Sequence, residues 1–263
     1  MLMMKSARRP SFPTLLVVLA VAFGGQTYAG PPFLTDDPEP VELHHCEFYI
    51  ATQQNHSADG WSGTAPHLEL NYGAAPDLQL HMIAPFAYDS PSDGRSHHGY
   101  ADTELGFKYR FVHETNSCPQ IGIFPLVELP TGNSSKGLGS GETQVFVPVW
   151  LQKEFGDWTT YGGGGYWFNP GEGNRNHWFG GWEVQRKICE SFTAGLEIQY
   201  NTADTIGGHS STALNAGGIW DISDTYHVLF SAGHTVHGRS EFQGYAALQI
   251  TFGPEEANAP ARK

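Results

Sequence analysis

From Ala101 to Phe111 the chain alternates: Asp102, Glu104, Lys108 and Arg110 are charged, whereas Leu105, Phe107, Tyr109 and Phe111 are apolar. A period of two puts these sets on opposite faces of an extended strand, one wet and one greasy. The pattern recurs in Leu78/Leu80/Met82/Ala84/Phe86 against Asp77/Gln79/His81, and in Val145/Val147/Val149/Leu151 against Gln144/Gln152. It returns in Phe192/Ala194/Leu196/Ile198/Tyr200 against Thr193/Glu197/Gln199, and in Phe242/Gly244/Ala246/Leu248/Ile250/Phe252 against Gln243/Gln249/Thr251. Only 16% of residues are charged, and 32 are Gly. Alternating runs bounded by Gly, Pro, Asn, Asp and Ser predict an all-β chain of about twelve strands. They are placed near 44–53, 64–73, 77–89, 100–112, 119–129, 143–154, 157–168, 176–188, 191–201, 211–221, 225–234 and 241–252.

The N-terminus predicts export. Met1 to Pro13 carries Lys5, Arg8 and Arg9 with no acid, Thr14 to Gly25 is an uncharged apolar run, and Thr27-Tyr28-Ala29 precedes Gly30. That is the charged region, apolar core and small-residue cleavage site of a secretory signal peptide, assigned to residues 1–29. The apolar run is too short to span a bilayer as a helix. Losing the three leader cations takes the net charge from −13 to −16. Such an acidic chain lacks the basic stripe that a nucleic-acid partner requires.

Beyond the leader, no apolar stretch is long enough for a transmembrane helix. Two architectures remain: a soluble periplasmic or secreted β-sandwich binding protein, and an antiparallel transmembrane β-barrel of the outer-membrane type. Alternation alone fits both. Connection lengths favour the barrel. The links at 73–76, 155–156, 189–190 and 222–224 are predicted short, and those at 54–63, 90–99, 130–142, 169–175 and 202–210 long and polar. Outer-membrane barrels have short periplasmic turns and longer outside loops. Trp61, Tyr72, Tyr88, Tyr100, Trp150, Trp158, Trp167, Trp178, Trp220 and Tyr226 fall near strand ends, as aromatic girdles do.

The segment Gly30-Pro31-Pro32-Phe33-Leu34-Thr35-Asp36-Asp37-Pro38-Glu39-Pro40-Val41, followed by Glu47-Phe48-Tyr49-Ile50, resembles a family of bacterial outer-membrane transporters of the meta-pathway of phenol degradation. Glu128-Leu129-Pro130-Thr131-Gly132, opening a Gly/Ser-rich loop, is similar to the same family's mid-chain segment. The resemblance implies a barrel taking up small, hydrophobic or aromatic molecules, embedded in the outer-membrane bilayer and carrying no cofactor.

Catalytic motifs are sparse. There is no GxSxG elbow, which leaves an outer-membrane lipid-modifying enzyme as the weakest reading. The loop 131–141 lacks the Gly-Lys-Ser/Thr order of a phosphate cradle and reads as a flexible outside loop. His44 and His45 are expected on opposite strand faces, and His97-His98 in a loop, so neither pair forms a metal site. Cys46, Cys118 and Cys189 all fall at the short-turn end, and their pairing is open.

The informative constellation is the polar face of the strands. Glu47, Glu69, Gln79, His81, Asp102, Glu104, Glu128, Gln144, Glu183, Gln185, Glu197, Gln199 and Gln243 are expected to line the lumen, with Lys108, Arg110 and Lys187 as counter-charges. Acids outnumber bases there, favouring cations or neutral solutes over anions. The division is a leader (1–29), an extended Pro-rich segment (30–43) lying in either the periplasm or the lumen, a barrel (44–253) and a tail (254–263), with both termini periplasmic.

Overall fold

The computed structural model describes residues 31–254, so the leader, Gly30 and residues 255–263 lie outside it. Its strands are β1 (Cys46–Ser57), β2 (Gly60–Ala75), β3 (Leu78–Pro91), β4 (His97–Tyr100), β5 (Thr103–Val112), β6 (Gln120–Ile123), β7 (Leu126–Leu129), β8 (Gln144–Phe155), β9 (Trp158–Phe168), β10 (His177–Cys189), β11 (Phe192–Asn201), β12 (Ser211–Asp221), β13 (Tyr226–His237) and β14 (Glu241–Phe252). Each is antiparallel to its neighbour, and β1 closes on β14 from Cys46↔Phe252 to Ser57↔Glu241. The ring is closed, which is the condition for strands to cross a membrane.

The fourteen segments make a ring of twelve. Both β4 and β5 pair with β3, so they form one wall strand interrupted at Ala101-Asp102. Likewise β6 and β7 share the place between β5 and β8, interrupted at Phe124-Pro125. Each break has a chemical cause. Pro125 has no N–H to give to a ladder, and its carbonyl accepts from the Phe107 N–H at 3.3 Å. Asp102 accepts from the Gly132 N–H (2.8 Å), the Ser140 N–H (2.6 Å) and the Ser140 hydroxyl (2.8 Å). The 131–141 loop is therefore pinned to the wall and buries Leu138, rather than standing free outside. This closed single sheet replaces the two-sheet sandwich that the alternation also allowed.

The loop lengths differ from the sequence expectation. At 54–63 the strands continue as a paired hairpin, with Gln54↔Gly63 through Ser57↔Gly60, and only Ala58-Asp59 remain as a turn. His97 and His98 likewise open β4, opposite Asp89 and Tyr88. Polar residues can pair beyond the bilayer, so polarity did not mean a loop. The left-handed backbone at His44 (φ 64°) places that residue in a bend before β1, not in a strand.

The two faces are those that the alternation foresees. Ile50, Leu80, Phe107, Val147, Leu196 and Leu248 are exposed on the outside, while Glu69, Gln79, Glu104, Glu183 and Glu197 are buried inside. An exposed apolar band around a closed ring is stable only against lipid. Trp61, Tyr72, Trp158, Trp178, Trp220 and Tyr226 stand outside near the strand ends as girdle residues. Trp150 and Trp167 do not: Trp150 is fully buried inside the ring, and Trp167 packs with it. The inner face is therefore not uniformly wet. It carries one apolar patch of Phe124, Leu126, Phe146, Trp150 and Phe179. A second holds Tyr49, Ala51, Leu229 and Ala247.

Candidate functional site in the barrel lumen

The N-terminal segment is inside the barrel. Its residues touch strands spread around the ring, which only a segment enclosed by a closed wall can do. The Pro32 carbonyl accepts from the Ser231 hydroxyl on β13. Leu34 and Thr35 give both backbone N–H groups to Glu197 Oε1 on β11, at 2.9 and 2.5 Å. Lys108 on β5 donates to Asp36 Oδ1 (2.8 Å) and Asp37 Oδ1 (3.4 Å). Glu39 Oε2 accepts from Gln120 (3.2 Å) on β6 and Gln152 (3.1 Å) on β8, with Arg110 Nη1 3.6 Å from Glu39 Oε1. The Val41 N–H donates to Gln79 on β3 at 2.9 Å, and Leu43 reaches the short-turn rim through a single bridge to Gly73.

Proline stiffens this path, which turns at Pro31-Pro32 and bends through Thr35 and again at Pro38. Pro31, Pro32, Pro38 and Pro40 fix φ and offer no N–H, so few backbone donors need partners inside the lumen. The wall yields where the segment comes closest. A Cβ on Gly195 would stand 2.7 Å from the Phe33 ring, and one on Gly122 would stand 2.9 Å from Pro38 Cβ. At Gly181 a Cβ has no room beside Thr35 Oγ1. These glycines form a seat, with Phe33, Thr35, Asp36 and Pro38 buried in it.

Around the seat run chains of polar contacts. His81 Nε2 lies 2.8 Å from Glu104 Oε1, and His81 Nδ1 lies 2.7 Å from Asn71 Oδ1. Asn71 donates to Glu69 at 2.8 Å, and His67 stands 3.7 Å from the same carboxylate. Glu47 accepts from the Tyr49 hydroxyl at 2.7 Å. Gln185 donates to Glu183 (2.8 Å) and Tyr161 (3.0 Å). Gln199 donates to Gln243 at 2.5 Å, and Asn215 donates to Glu197 at 2.5 Å. Glu128 is buried in register with Glu104 and Gln144, and Gln144 bonds Asn169 near the long-loop end. Asp102 serves the 130–143 loop.

Lys187 has the inward parity of Glu183 and Gln185 and is exposed near the end of β10. Arg110 reaches its strand's lower end, where Nε and Nη2 donate to Asp77 Oδ1 at 3.0 and 2.9 Å. Asp77 sits in the β2–β3 turn, where partial desolvation pushes its carboxyl up. The hydrogen bonds and charge of Arg110, then His113, outweigh this and hold it below the usual carboxylate range.

Sequence reasoning missed Gln120, Asn71 and His67, which share the inward parity, and it missed the aromatic patch. It left the place of the N-terminal segment open between lumen and periplasm. All three cysteines are free.

A family model described as "Putative MetA-pathway of phenol degradation" matches residues 59–252. The COG4313 outer membrane channel from Pseudomonas putida F1 superposes with a TM-score of 0.67 at 14% identity, covering 82% of this chain and 98% of that one. The KdgM porin in complex with disordered oligogalacturonate gives 0.56 at 11% identity, covering 78% and 99%. The NanC porin gives 0.56 at 8% identity, covering 77% and 98%. No protein of curated function matches in sequence. At these identities the superpositions establish the barrel fold.

Proposed function

We propose, for a chain that belongs to this MetA-pathway phenol-degradation family, that it is an outer-membrane channel for small molecules, aromatic ones included, closed by its own N-terminal segment. The observation that carries this reading is what fills the lumen. A barrel whose interior is only structural is filled by wall side chains. This one also holds a length of irregular main chain.

The segment is removable in principle. From Pro31 to Val41 it is held by side-chain hydrogen bonds and ion pairs, and its first strand-like bridge is Leu43 to Gly73. Withdrawing it breaks no wall ladder and leaves a bore at least as wide as a polypeptide. The inward polar residues from Glu47 to Gln243, Lys187 at the mouth among them, then form the wall of the path. Carboxylates dominate that wall, which supports passage of cations and neutral solutes over anions. The shorter turns mark the periplasmic end, from which the segment enters. The proposed division is an exported leader (1–29), a plug (30–43), a barrel (44–253) and a tail (254–263). The three superpositions above, on one channel and two porins, support the same reading.

Purified full-length protein in planar bilayers tests it. The expected result is a small cation-preferring conductance that grows when residues 31–41 are deleted. A deleted variant that runs as a folded barrel and conducts nothing overturns the channel.

A further inference from the structure

The luminal aromatic patch is costly for a water-filled channel. Phe146 stacks on Trp167 at 4.7 Å with 10° between planes, and stands edge-on to Trp150 (6.4 Å) and Phe179 (6.1 Å). Trp150 and Phe179 meet at 6.2 Å and 69°. Apolar surface of this size facing water is unfavourable in proportion to its area. From the N-terminal segment Leu34 packs on it.

A second observation points to a ligand. The Trp150 indole N–H is buried and has no acceptor. Buried Trp N–H groups nearly always find a partner, because an unmet donor forfeits its water hydrogen bond without return. The wall also makes room for this ring: Gly163 stands opposite Trp150 in register, and a Cβ there would lie 3.1 Å from Trp150 Cε3. The patch therefore has flat surfaces, an unused donor and a wall shaped around them. Its covering side chain sits on the segment that Glu197 holds through the Leu34 and Thr35 N–H groups. On its other side Leu34 borders a small cavity shared with Phe33, Gln53, Asn215, Gln243 and Tyr245. Phe146, Trp167 and Phe179 lie near the long-loop ends of β8, β9 and β10, so the patch is what a solute from outside meets before the plug.

We propose that this patch is a binding site for a planar ring bearing an acceptor oxygen, and that Leu34 occupies the place of that ring when the lumen is closed. Solute and plug then exclude one another. The ring packs against Phe146, Trp167 and Phe179, and its oxygen accepts from Trp150 Nε1. Arrival of the solute thus releases the leucine that anchors the plug's apolar side. This deepens the channel reading and rests on it.

Fluorine NMR titration of the purified full-length protein in detergent tests the site, with 4-fluorophenol and 4-fluorotoluene as probes and detergent alone as the blank. Saturable binding of 4-fluorophenol is expected, tightened about fivefold in Leu34→Ala as the competing side chain is cut back. Trp150→Phe keeps a ring and removes the donor. It should weaken 4-fluorophenol about fivefold, the worth of one neutral hydrogen bond, and leave 4-fluorotoluene unchanged. The site is overturned by no saturable binding in Leu34→Ala, or by Trp150→Phe weakening both probes alike. Bilayer conductance on the same preparations separates the two readings. Conductance without probe binding removes the site alone, and binding without conductance removes the channel.

Discussion

Lys108 Nζ lies 2.8 Å from Asp36 Oδ1, a buried ion pair that joins the wall strand β5 to the N-terminal segment across 72 positions of sequence. Both side chains are nearly without solvent, at 7% and 0% exposure, so neither charge has water to fall back on. Removing one partner of such a pair costs about 3–5 kcal/mol. In Lys108→Met that cost falls on the seated plug, because the β5 ladder is made by backbone groups. The expected outcome is a larger and more frequent conductance in planar bilayers, partly reversed by adding Asp36→Asn. Conductance equal to that of the unaltered protein would show that this pair does not hold the segment.

The seat can also be disturbed without touching a charge. Gly181 faces Thr35 with no space for a Cβ, so Gly181→Val should push Thr35 off and pull its N–H away from Glu197. Limited proteolysis from the periplasmic side should then cleave within 31–43 at a rate at least several times that of the unaltered protein. The barrel should keep its shift between unheated and boiled samples on gels, since closed rings resist SDS until heated.

Adjacent residues on β11 give a test of facing. Leu196 is exposed on the outside, and Glu197 is buried within. Leu196→Arg places a charge in lipid and should cost about 2–4 kcal/mol near the midplane, read as a lower heat-unfolding midpoint in bilayers. Glu197→Gln should leave that midpoint nearly unchanged while raising conductance, because it weakens the acceptor for Leu34 and Thr35. Equal effects of the two on unfolding would contradict the inside-outside assignment.

Asp77 carries a pH signature. Its carboxyl is held below the ordinary aspartate range, about 3.9 in the unfolded chain, by Arg110 and His113 acting against partial desolvation. A lowered folded value means the contribution is complete above the unfolded value and fades as pH falls through the folded one. The unfolding midpoint of Asp77→Asn should therefore lie below that of the unaltered protein at pH 6, by an amount worth about 1 kcal/mol or less for so exposed a pair. The gap should close toward pH 3. A gap that widens in acid would reverse the sign and remove the pair from the account.

Much of the wall was legible from order alone. Glu104, Glu183 and Glu197 alternate with apolar neighbours, and in a strand parity decides facing. Parity says nothing of height: Lys187, two positions beyond Gln185, is already exposed near the end of β10. It also fails where both faces are apolar. On β8 the odd positions Val145, Val147 and Val149 face lipid, while the even positions Phe146, Pro148 and Trp150 are equally apolar and face the lumen. Only Gln144 and Gln152, at the two ends of this run, mark the inner side, and nearness to the strand end made Trp150 read as a girdle residue. The stretch 54–63 misled for the opposite reason, since its polar residues pair across a hairpin that outlasts the bilayer.

By itself the sequence determined that the chain is extended and two-faced, because a period of two and the absence of any helix-long apolar run in the mature chain are local properties that a sandwich shares; connection lengths and the family resemblance tipped the reading to a barrel. It fixed φ at the four prolines of the segment before the first strand, because the pyrrolidine ring does so locally. Only the tertiary structure decided where that segment goes. Its partners, Gln79, Lys108, Glu197 and Ser231, are up to 199 positions away and come together only when the ring closes around it. The same closure packs Leu34 against the cluster of Phe124, Leu126, Phe146, Trp150 and Phe179, residues whose separate preferences carry no information about one another.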